Sequence, residues 1–231
     1  MRGLHNSVKK DRCFIIGNGP SLTLEDLNRL KNEDTFACNR IYKLYKNTEW
    51  RPTYYVSQDN GVLLEIKEDM DYVIKNSKYV FLNSYIAAFL KRRLTKKDNV
   101  LFFKVNSKYD YPNPPGFSMD ISKEVCEGFT VAYTCIQMAV FLGYKEIYLI
   151  GVDHNYNLNL KADGSVEEKD GVINYMSGLE GKLAFPPQME KSTLAFEEAN
   201  RVCKSNGIKI YNATRGGKLE AFPRIYFDEI L

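Results

Sequence analysis

The fold is decided by residues 12–22, which read RCFIIGNGPSL. After Arg12 the run is apolar on both faces, which is typical of a fully buried strand in a parallel sheet. A glycine-rich turn follows and leads into a helical pattern at 24–30, so this stretch has the strand–turn–helix order of an α/β protein. We expect a ligand near the turn, because open α/β sheets bind ligands beyond the carboxyl ends of their strands.

The same alternation continues through most of the chain. Strand patterns rich in Ile, Val, Phe and Tyr fall at 35–39, 53–57, 79–83, 100–105, 146–151 and 208–211. Helical patterns fall at 62–76, 86–94, 130–142 and 190–206. No break in composition divides the 231 residues. We therefore predict a single Rossmann-like α/β domain over 1–231, with a mostly parallel sheet flanked by helices.

Composition and charge exclude several classes of protein. The 32 Lys and Arg against 29 Asp and Glu leave a formal charge of +3, without the broad basic excess of a nucleic-acid binder. No apolar run approaches the roughly 20 residues of a membrane-spanning helix, and no signal-peptide pattern is present, so we expect a cytoplasmic protein. Five cysteines without a CxxC pair predict small core side chains, and two histidines exclude a three-histidine metal centre. No metal site is predicted.

Two segments have the character of insertions. Residues 106–128 carry Pro112, Pro114 and Pro115, which predict a stiff loop rather than a helix. Residues 154–187 show little periodicity and are far longer than an ordinary connection. We predict that this second segment is a lid over the binding site, with a decorative excursion as the alternative.

The turn after the first strand is a candidate phosphate site, formed by Gly17, Asn18, Gly19, Pro20 and Ser21. Its two glycines would let a ligand approach the backbone, and the amino end of the next helix favours an anion. The turn is neither a Walker A loop nor a GxGxxG fingerprint. By itself it indicates equally a nucleotide site or a tight turn.

Other polar residues follow the next strands. Asn39 offers a donor and an acceptor for a base or ribose, and Arg40 suits a phosphate, although a turn and a salt bridge are the alternatives. Asp59 and Asp153 could bind Mg²⁺ together with substrate phosphates or act as a general base, or they could cap helices. His154 is the only histidine placed to accept a proton here. On extended backbone it would point away from Asp153, so we do not expect both to face the substrate.

A basic run contains Lys91, Arg92, Arg93, Lys96 and Lys97. Five positive charges in seven residues would suit an anionic membrane surface or an acidic glycan, but we favour a solvated helix end. Peripheral contact with the inner face of the membrane is left open. The oligomeric state is left open as well.

Three segments together carry a family resemblance: FIIGNGPSL at 14–22, FACNR at 36–40 and GYKEIYLIGVD at 143–153. They resemble the small bacterial sialyltransferases that act on surface glycans. They are also similar to the wider superfamily of 6-hydroxymethylpterin pyrophosphokinase-like (MptE-like) proteins and motility-associated Maf glycosyltransferases. The segment NATRGGKLEAF at 212–222 resembles the MptE-like branch.

The sialyltransferase resemblance implies a modified GT-A fold that binds a CMP-sugar donor and a glycan acceptor, with no obligatory cofactor. It implies that Gly17, Asn18, Gly19 and Ser21 contact the phosphate and ribose, and that Asn39 holds the nucleotide or the donor sugar. It further implies that the helix start at 128–133, with Gly128 and Thr130, approaches the cytosine or ribose. Lid tyrosines of that family assist the departing phosphate, for which Tyr156 and Tyr175 are the candidates here.

One departure from the family pattern concerns the general base. The family's histidine lies at the end of the lid, where this chain has Pro186, Pro187 and Gln188, and no histidine follows His154. Either His154 or a carboxylate such as Asp153 or Asp59 takes that role, or the reaction differs. A pyrophosphokinase explains the loss more easily, because phosphoryl transfer relies mainly on positioning and on Mg²⁺.

Three hypotheses follow. The first is a glycosyltransferase that uses a CMP-nonulosonic acid in bacterial surface glycan synthesis, with His154, Asp153 and Tyr156 as catalytic residues. The second is an Mg²⁺-dependent pterin pyrophosphokinase with Asp59 and Asp153 as metal ligands. The third is a nucleotide-binding module without activity, kept as a partner of a larger enzyme.

Overall fold

The computed structural model describes residues 1–86, 88–156, 158–160, 166–168, 174–179 and 187–231. The described residues form eleven strands, which are β1 (Arg12–Ile16), β2 (Thr35–Cys38), β3 (Tyr54–Ser57), β4 (Tyr79–Asn83), β5 (Val100–Phe103), β6 (Val105–Asn106), β7 (Val125–Cys126), β8 (Glu146–Ile150), β9 (Leu158–Leu160), β10 (Val166–Glu168) and β11 (Lys209–Asn212). Their helices are α1 (Leu24–Arg29), α2 (Asn60–Glu65), α3 (Met70–Lys75), α4 (Ala88–Leu94), α5 (Val131–Leu142) and α6 (Met189–Ser205), with short 3-10 helices at Arg2–Leu4, Asn39–Lys46 and Phe227–Glu229.

Seven parallel strands form the central sheet in the order β11-β8-β1-β2-β3-β4-β5. β1 lies near the middle, where Ile15 pairs with Phe36 of β2 on one side and with Leu149 of β8 on the other. The chain builds outward from β1 to β5 and then returns to the opposite side of β1. This reversal is a topological switch point, where α/β sheets open a crevice at the carboxyl ends of their strands. The predicted α/β fold with a mostly parallel sheet is confirmed.

The sheet is covered on both faces because its strands are apolar on both faces. Cys13 and Ile15 of β1 pack into one hydrophobic cluster with α5 and α6, and Phe14 and Ile16 pack into a second cluster on the other face. The α5 helix is buried along nearly its whole length. The expectation of core cysteines is confirmed for four of the five, which are Cys13, Cys38, Cys135 and Cys203.

Two elements differ from the sequence-based expectation. The amphipathic helix predicted at 62–76 is two short helices, α2 and α3. Ile66 and Met70 are buried on either side of the turn between them, so the break lets both helices bury apolar side chains. The 3-10 helix Asn39–Lys46 was not predicted, because it starts directly after β2, where the sequence suggested only a turn.

The two predicted insertions behave differently. Residues 106–128 are largely without regular structure apart from the short β6–β7 pair, as predicted for a proline-stiffened loop. In the predicted lid at 154–187, β9 and β10 form an antiparallel pair, and the Met176 N–H donates to the Asn18 carbonyl at 2.8 Å. The described part of this segment therefore returns to the loop after β1. Residues 157, 161–165, 169–173 and 180–186 of the predicted lid lie outside the described residues.

A search for helices able to cross a membrane finds no candidate within the described residues.

Candidate functional site

A cavity of about 640 Å³ lies beyond the carboxyl ends of the central strands, at the switch point of the sheet. Its wall is formed by the loops after β1, β2, β3, β4 and β8 and by the first turns of α5 and α6. Many residues predicted from sequence line it, which are Gly17, Asn18, Gly19, Asn39, Arg40, Asp59, Thr130, Asp153, His154, Tyr156 and Tyr175. Pro20, Ser21 and Gly128 are outside this lining.

The glycines of the first loop are required by packing against the loop after β8. A Cβ at Gly17 would lie 2.2 Å from the Gly151 carbonyl oxygen, and a Cβ at Gly19 would lie 1.9 Å from the Asp153 carboxylate. The N–H of Gly17 donates to Ile150 at 2.8 Å, and that of Gly19 donates to Gly151 at 2.9 Å. The expectation that these two amides hold a phosphate does not fit this geometry, since both already have partners.

The amino end of α1 is also occupied by the chain itself. Thr23 caps the helix by accepting from the Asp26 N–H at 3.2 Å, and the Asp26 carboxylate accepts from the Thr23 N–H at 2.9 Å. This capping box satisfies the N–H groups of Thr23 and Asp26, which the sequence suggested as donors to a bound anion. The Asp26 carboxylate also pairs with Arg215, so this end of the helix is already occupied by charged groups of the chain.

Four carboxamides stand at the ends of four neighbouring strands, and we call Asn18, Asn39, Gln58 and Asn83 the amide row. Asn18 donates from Nδ2 to the Cys38 carbonyl at 3.2 Å, whereas its Oδ1 is buried with no partner among the described residues. Asn83 donates from Nδ2 to the Gln58 carbonyl at 3.0 Å. The row brings uncharged donors and acceptors to one edge of the cavity, which suits hydroxyl groups and base edges.

Asn39 and Gln58 are held by contacts with neighbouring elements. Asn39 adopts a φ of +53°, which is uncommon for a residue with a side chain, and its carbonyl accepts from the Tyr55 hydroxyl at 2.6 Å. Its Oδ1 accepts from Ser57 at 3.4 Å. The Gln58 Oε1 accepts from the Thr134 hydroxyl of α5. The sequence places Gln58 and Asn83 among the polar residues that follow the strands, at the edge where a site is expected, but it assigned neither of them a role.

Arg40 is paired with Glu65 rather than left available for a phosphate. Its Nε donates to Oε1 of Glu65 at 2.9 Å, and its Nη2 donates to Oε2. The Arg40 residue is 4% exposed. Hydrogen bonding to Arg40 holds the pKa of Glu65 below its ordinary value. Arg40 therefore forms a salt bridge, which was the alternative to phosphate binding, and it is more buried than the sequence suggested.

Asp59 caps α2. Its Oδ1 accepts from the N–H groups of Gly61 at 2.6 Å and Val62 at 3.2 Å, which confirms the capping alternative. Within the described part of the chain, no group of three His, Cys, Asp or Glu side chains could hold a metal ion.

Asp153 is fixed by the first loop and by the segment after β11. Its Oδ2 accepts from the Ser21 hydroxyl at 2.7 Å, so Ser21 supports a site residue instead of lining the cavity. The Lys218 N–H donates to the Asp153 carbonyl at 2.8 Å, and Gly217 allows this approach, since a Cβ there would lie 2.6 Å from the same oxygen. Burial raises the pKa of the Asp153 carboxyl above its ordinary value.

His154 lines the same cavity as Asp153. The expectation that only one of them would do so is wrong, because it assumed extended backbone and His154 has a φ of +50°. Its Nε2 lies 2.8 Å from Oγ1 of Thr193, and its ring packs edge-to-face on Phe196 at 5.5 Å. Burial lowers the pKa of His154, which favours the neutral imidazole. No local signal could have found Thr193, which is far away in sequence.

Two further parts of the wall come from the predicted lid and from α5. Tyr156 and Tyr175 make an edge-to-face contact, with ring centroids 6.2 Å apart. Thr130 caps α5, accepting from the Ala132 N–H at 3.4 Å. Gly128 is buried against Tyr133, so it serves packing, and Phe129, with a φ of +58°, takes its place in the wall.

The described wall is anionic on balance. Its carboxylates are Asp59, Glu127 and Asp153, whereas Arg40 is the one Lys or Arg among the lining residues described, and it is paired with Glu65. A highly charged phosphate group would therefore meet more negative than positive charge here.

Comparison with known proteins gives a family and a curated relative. Residues 1–159 match the family described as 6-hydroxymethylpterin diphosphokinase MptE-like. The chain is 26% identical over 171 residues to a probable 3-deoxy-manno-octulosonic acid transferase of Salmonella typhimurium strain LT2. That match covers 61% of this chain and 64% of the relative, so the chain spans less than two thirds of the relative's length.

Two solved structures share the fold. The Maf glycosyltransferase from Magnetospirillum magneticum AMB-1 superposes with a TM-score of 0.61 and 15% identity, over 98% of this chain and 35% of that one. A point mutant of the alpha-2,3/8-sialyltransferase CstII superposes with a TM-score of 0.50 and 20% identity, over 93% of this chain and 86% of that one. The resemblance to the MptE-like, Maf and sialyltransferase proteins is confirmed.

Proposed function

This chain belongs to the 6-hydroxymethylpterin diphosphokinase MptE-like family, and we propose that it is a glycosyltransferase that uses a CMP-nonulosonic acid in the synthesis of a bacterial surface glycan. Its curated relative is named as a probable transferase of 3-deoxy-manno-octulosonic acid, which is a sugar acid of the same chemical kind as a nonulosonic acid. The glycosyltransferase folds of the two structural neighbours agree with a nucleotide-sugar donor and a glycan acceptor.

The observation that favours a nucleotide-sugar over ATP is the charge of the cavity wall. A CMP-nonulosonic acid carries one phosphodiester and one carboxylate, which is as much negative charge as the two phosphates of a nucleoside diphosphate sugar, whereas ATP brings more. The described wall has no Lys and only a paired Arg, so it has little to neutralise a polyphosphate. A nucleotide-activated sugar therefore fits the described wall better than ATP does.

The amide row supports a nucleoside or sugar in this position. Its carboxamides can pair with both donors and acceptors, as ribose hydroxyls and a cytosine edge require. The buried Oδ1 of Asn18 has no partner among the described residues, and a ligand N–H or O–H there would remove the cost of leaving it unpaired.

The proposed step is displacement at the anomeric carbon. The acceptor hydroxyl attacks that carbon and gives its proton to His154, while the bond to the CMP phosphate breaks and its electron pair leaves on the phosphate oxygen. Tyr156 and Tyr175 line the cavity and would donate to that oxygen. The family resemblance implies a base beside the helix that follows the lid, and His154 contacts this helix, α6, from the other end of the lid segment.

The test is sugar transfer and CMP release from CMP-nonulosonic acids, measured in EDTA. We expect His154→Ala to keep CMP binding and to lose about 10²–10⁴-fold in turnover, the usual contribution of a general base. Asn39→Ala should instead weaken CMP binding. His5→Ala is the matched control, because His5 is exposed and outside the cavity. Unchanged turnover in His154→Ala would remove it as the base.

The family description favours a second candidate, an Mg²⁺-dependent pterin pyrophosphokinase with Asp59 and Asp153 holding the metal. Asp59 caps α2 and Asp153 accepts from Ser21, so both carboxylates already have partners within the chain. The transferase is therefore preferred. ATP-dependent diphosphate transfer to a pterin, with no CMP-sugar turnover, would reverse this preference. A nucleotide-binding module without activity would bind CMP and turn over neither donor.

A further inference from the structure

The imidazole of His154 is tied to α6 through a short chain of hydrogen bonds. Its Nε2 lies 2.8 Å from Oγ1 of Thr193, and this hydroxyl donates to the Met189 carbonyl at 2.9 Å. A carbonyl oxygen can only accept, and a hydroxyl has a single proton. Because the Thr193 proton points to the Met189 carbonyl, Oγ1 of Thr193 presents only a lone pair to Nε2 of His154. Nε2 must therefore carry the hydrogen of this contact.

We propose that Thr193 is a positioning residue that holds His154 in its Nε2–H tautomer, so that Nδ1 is the atom that takes the proton from the acceptor hydroxyl. A neutral imidazole has one donor and one acceptor nitrogen, and fixing the first at Nε2 leaves Nδ1 bare. The catalytic meaning of this inference rests on the proposed function. The tautomer itself does not.

A competing arrangement would turn the Thr193 proton toward Nε2. The Met189 carbonyl would not be left unpaired by this, because the Ser192 hydroxyl also donates to it at 3.0 Å. That arrangement fails once the ring is protonated, since both imidazolium nitrogens are donors and Thr193 would then have to reverse its hydrogen bond. In the arrangement we propose, nothing at the Thr193 contact changes when Nδ1 gains a proton, so the base works without reorganisation.

Packing against Phe196 fixes the plane of the ring, and the hydrogen bond to Thr193 fixes which ring atom faces α6. Phe196 contacts His154 edge-to-face, with the ring planes at 79°, one turn of α6 after Thr193. A 180° flip of the imidazole about its Cβ–Cγ bond would place Cε1 instead of Nε2 at Thr193 and break this hydrogen bond, while the ring plane would stay against Phe196. Thr193 and Phe196 therefore hold the ring from one element, which is the support that a proton-accepting group needs.

The test is nitrogen NMR of the full chain labelled with ¹⁵N-histidine. The chain contains only two histidines, His5 and His154. His5→Gln assigns the spectrum. We expect His154, at a pH where it is neutral, to be protonated at Nε2 and bare at Nδ1. Thr193→Val keeps the β-branched shape without the hydroxyl and should give a mixture of tautomers, and Thr193→Ser should restore the single one.

Two results would overturn the inference: a wild-type His154 protonated at Nδ1, or a Thr193→Val spectrum that matches wild type. The tautomer is measured without substrate. A protein that shows the expected tautomer and transfers no sugar therefore overturns the proposed function alone. A protein that transfers sugar while His154 carries its proton on Nδ1 overturns this inference alone.

Discussion

Gly17 and Gly19 stand where any side chain would collide with the loop after β8. We expect Gly17→Ala to lower the free energy of unfolding by about 2–4 kcal/mol, because its Cβ meets a backbone oxygen that cannot rotate away. Gly19→Ala should cost less, about 1–3 kcal/mol, because its nearest obstacle is the Asp153 side chain. Urea unfolding of the ligand-free protein measures both.

Gly3→Ala is the control, since a Cβ at Gly3 has no neighbour within 4 Å. It should unfold as wild type does. If Gly17→Ala were as stable as wild type and lost only ligand binding, the glycines would serve ligand approach, as the sequence alone suggested.

The lowered pKa of His154 also predicts a pH dependence of stability. Burial disfavours the imidazolium, so the unfolded chain, with a pKa near 6.5, binds a proton before the folded protein does. The unfolded state thus holds more protons in the window just below pH 6.5, and stability falls as the pH drops through it. We expect His154→Gln to remove this part of the acid loss, so that the variant loses less stability than wild type over the same pH range.

Unfolding free energies at pH 7.5 and 5.5 measure this effect. His5→Gln should keep the acid loss of wild type, because His5 lies exposed on the surface. A wild-type protein with the same acid loss as His154→Gln would contradict a lowered pKa in the folded state.

At the scale of elements, one ion pair joins α1 to the segment after β11. Arg215 donates from two nitrogens to the Asp26 carboxylate, at 2.7 and 2.8 Å. The Asp26 side chain is only 4% exposed, whereas that of Arg215 is 46% exposed. We expect Arg215→Gln to destabilise the protein by about 1–3 kcal/mol, since it leaves a buried carboxylate without its cation, and the partial exposure of Arg215 limits the loss.

Lys97→Gln is the matched control, because Lys97 and Asp71 are both well exposed. It should change the free energy of unfolding by less than about 0.5 kcal/mol. Equal effects of the two substitutions would show that Asp26 is hydrated well enough to do without Arg215.

Local sequence is enough to predict most elements but few contacts. The central strands are readable because each is a short apolar run bounded by polar or small residues, and α5 because apolar residues fill most of its twelve positions. The break between α2 and α3 was missed, since apolar spacing continues across it. The 3-10 helix after β2 depends on Asn39 at positive φ, which no local pattern indicates.

The candidate site divides in the same way. Residues that follow strands, such as Asn18, Asn39 and His154, could be named from sequence because a parallel sheet brings strand ends to one edge. Their partners could not be named. The Glu65 carboxylate that occupies Arg40 and the Thr193 hydroxyl beside His154 come from helices whose placement depends on the whole fold.

At the scale of the whole molecule, the topology explains why the site mixes early and late parts of the chain. The sheet reverses between β1 and β8, so the loops after these strands pack on each other and the segment after β11 packs behind them. The Thr214 hydroxyl accepts from the Val152 N–H at 3.1 Å, so the segment after β11 is held against the loop after β8. The prediction that residues 1–231 form a single domain stays a prediction.

The charge of the cavity predicts how the whole protein responds to nucleotides. A ligand that binds only the folded state stabilises it by mass action, by about 2.7 kcal/mol at a concentration of 100 Kd, which corresponds to a rise in Tm of roughly 5–10 °C for a chain of this size. We expect CMP in EDTA to produce such a rise, and UDP, GDP and ATP in EDTA to produce little or none. The described wall has no unpaired Lys or Arg to neutralise their additional phosphates.

The same measurement with Mg²⁺ separates the two candidate functions. If the protein is a transferase that needs no metal, Mg²⁺ should leave the CMP shift unchanged, and Asn39→Ala should reduce that shift at equal CMP concentration. If ATP raises Tm only with Mg²⁺, and CMP does not raise it at all, the anionic wall is a metal site. Asp59→Asn and Asp153→Asn would then abolish the ATP shift, and the pyrophosphokinase would replace the transferase as the proposed function.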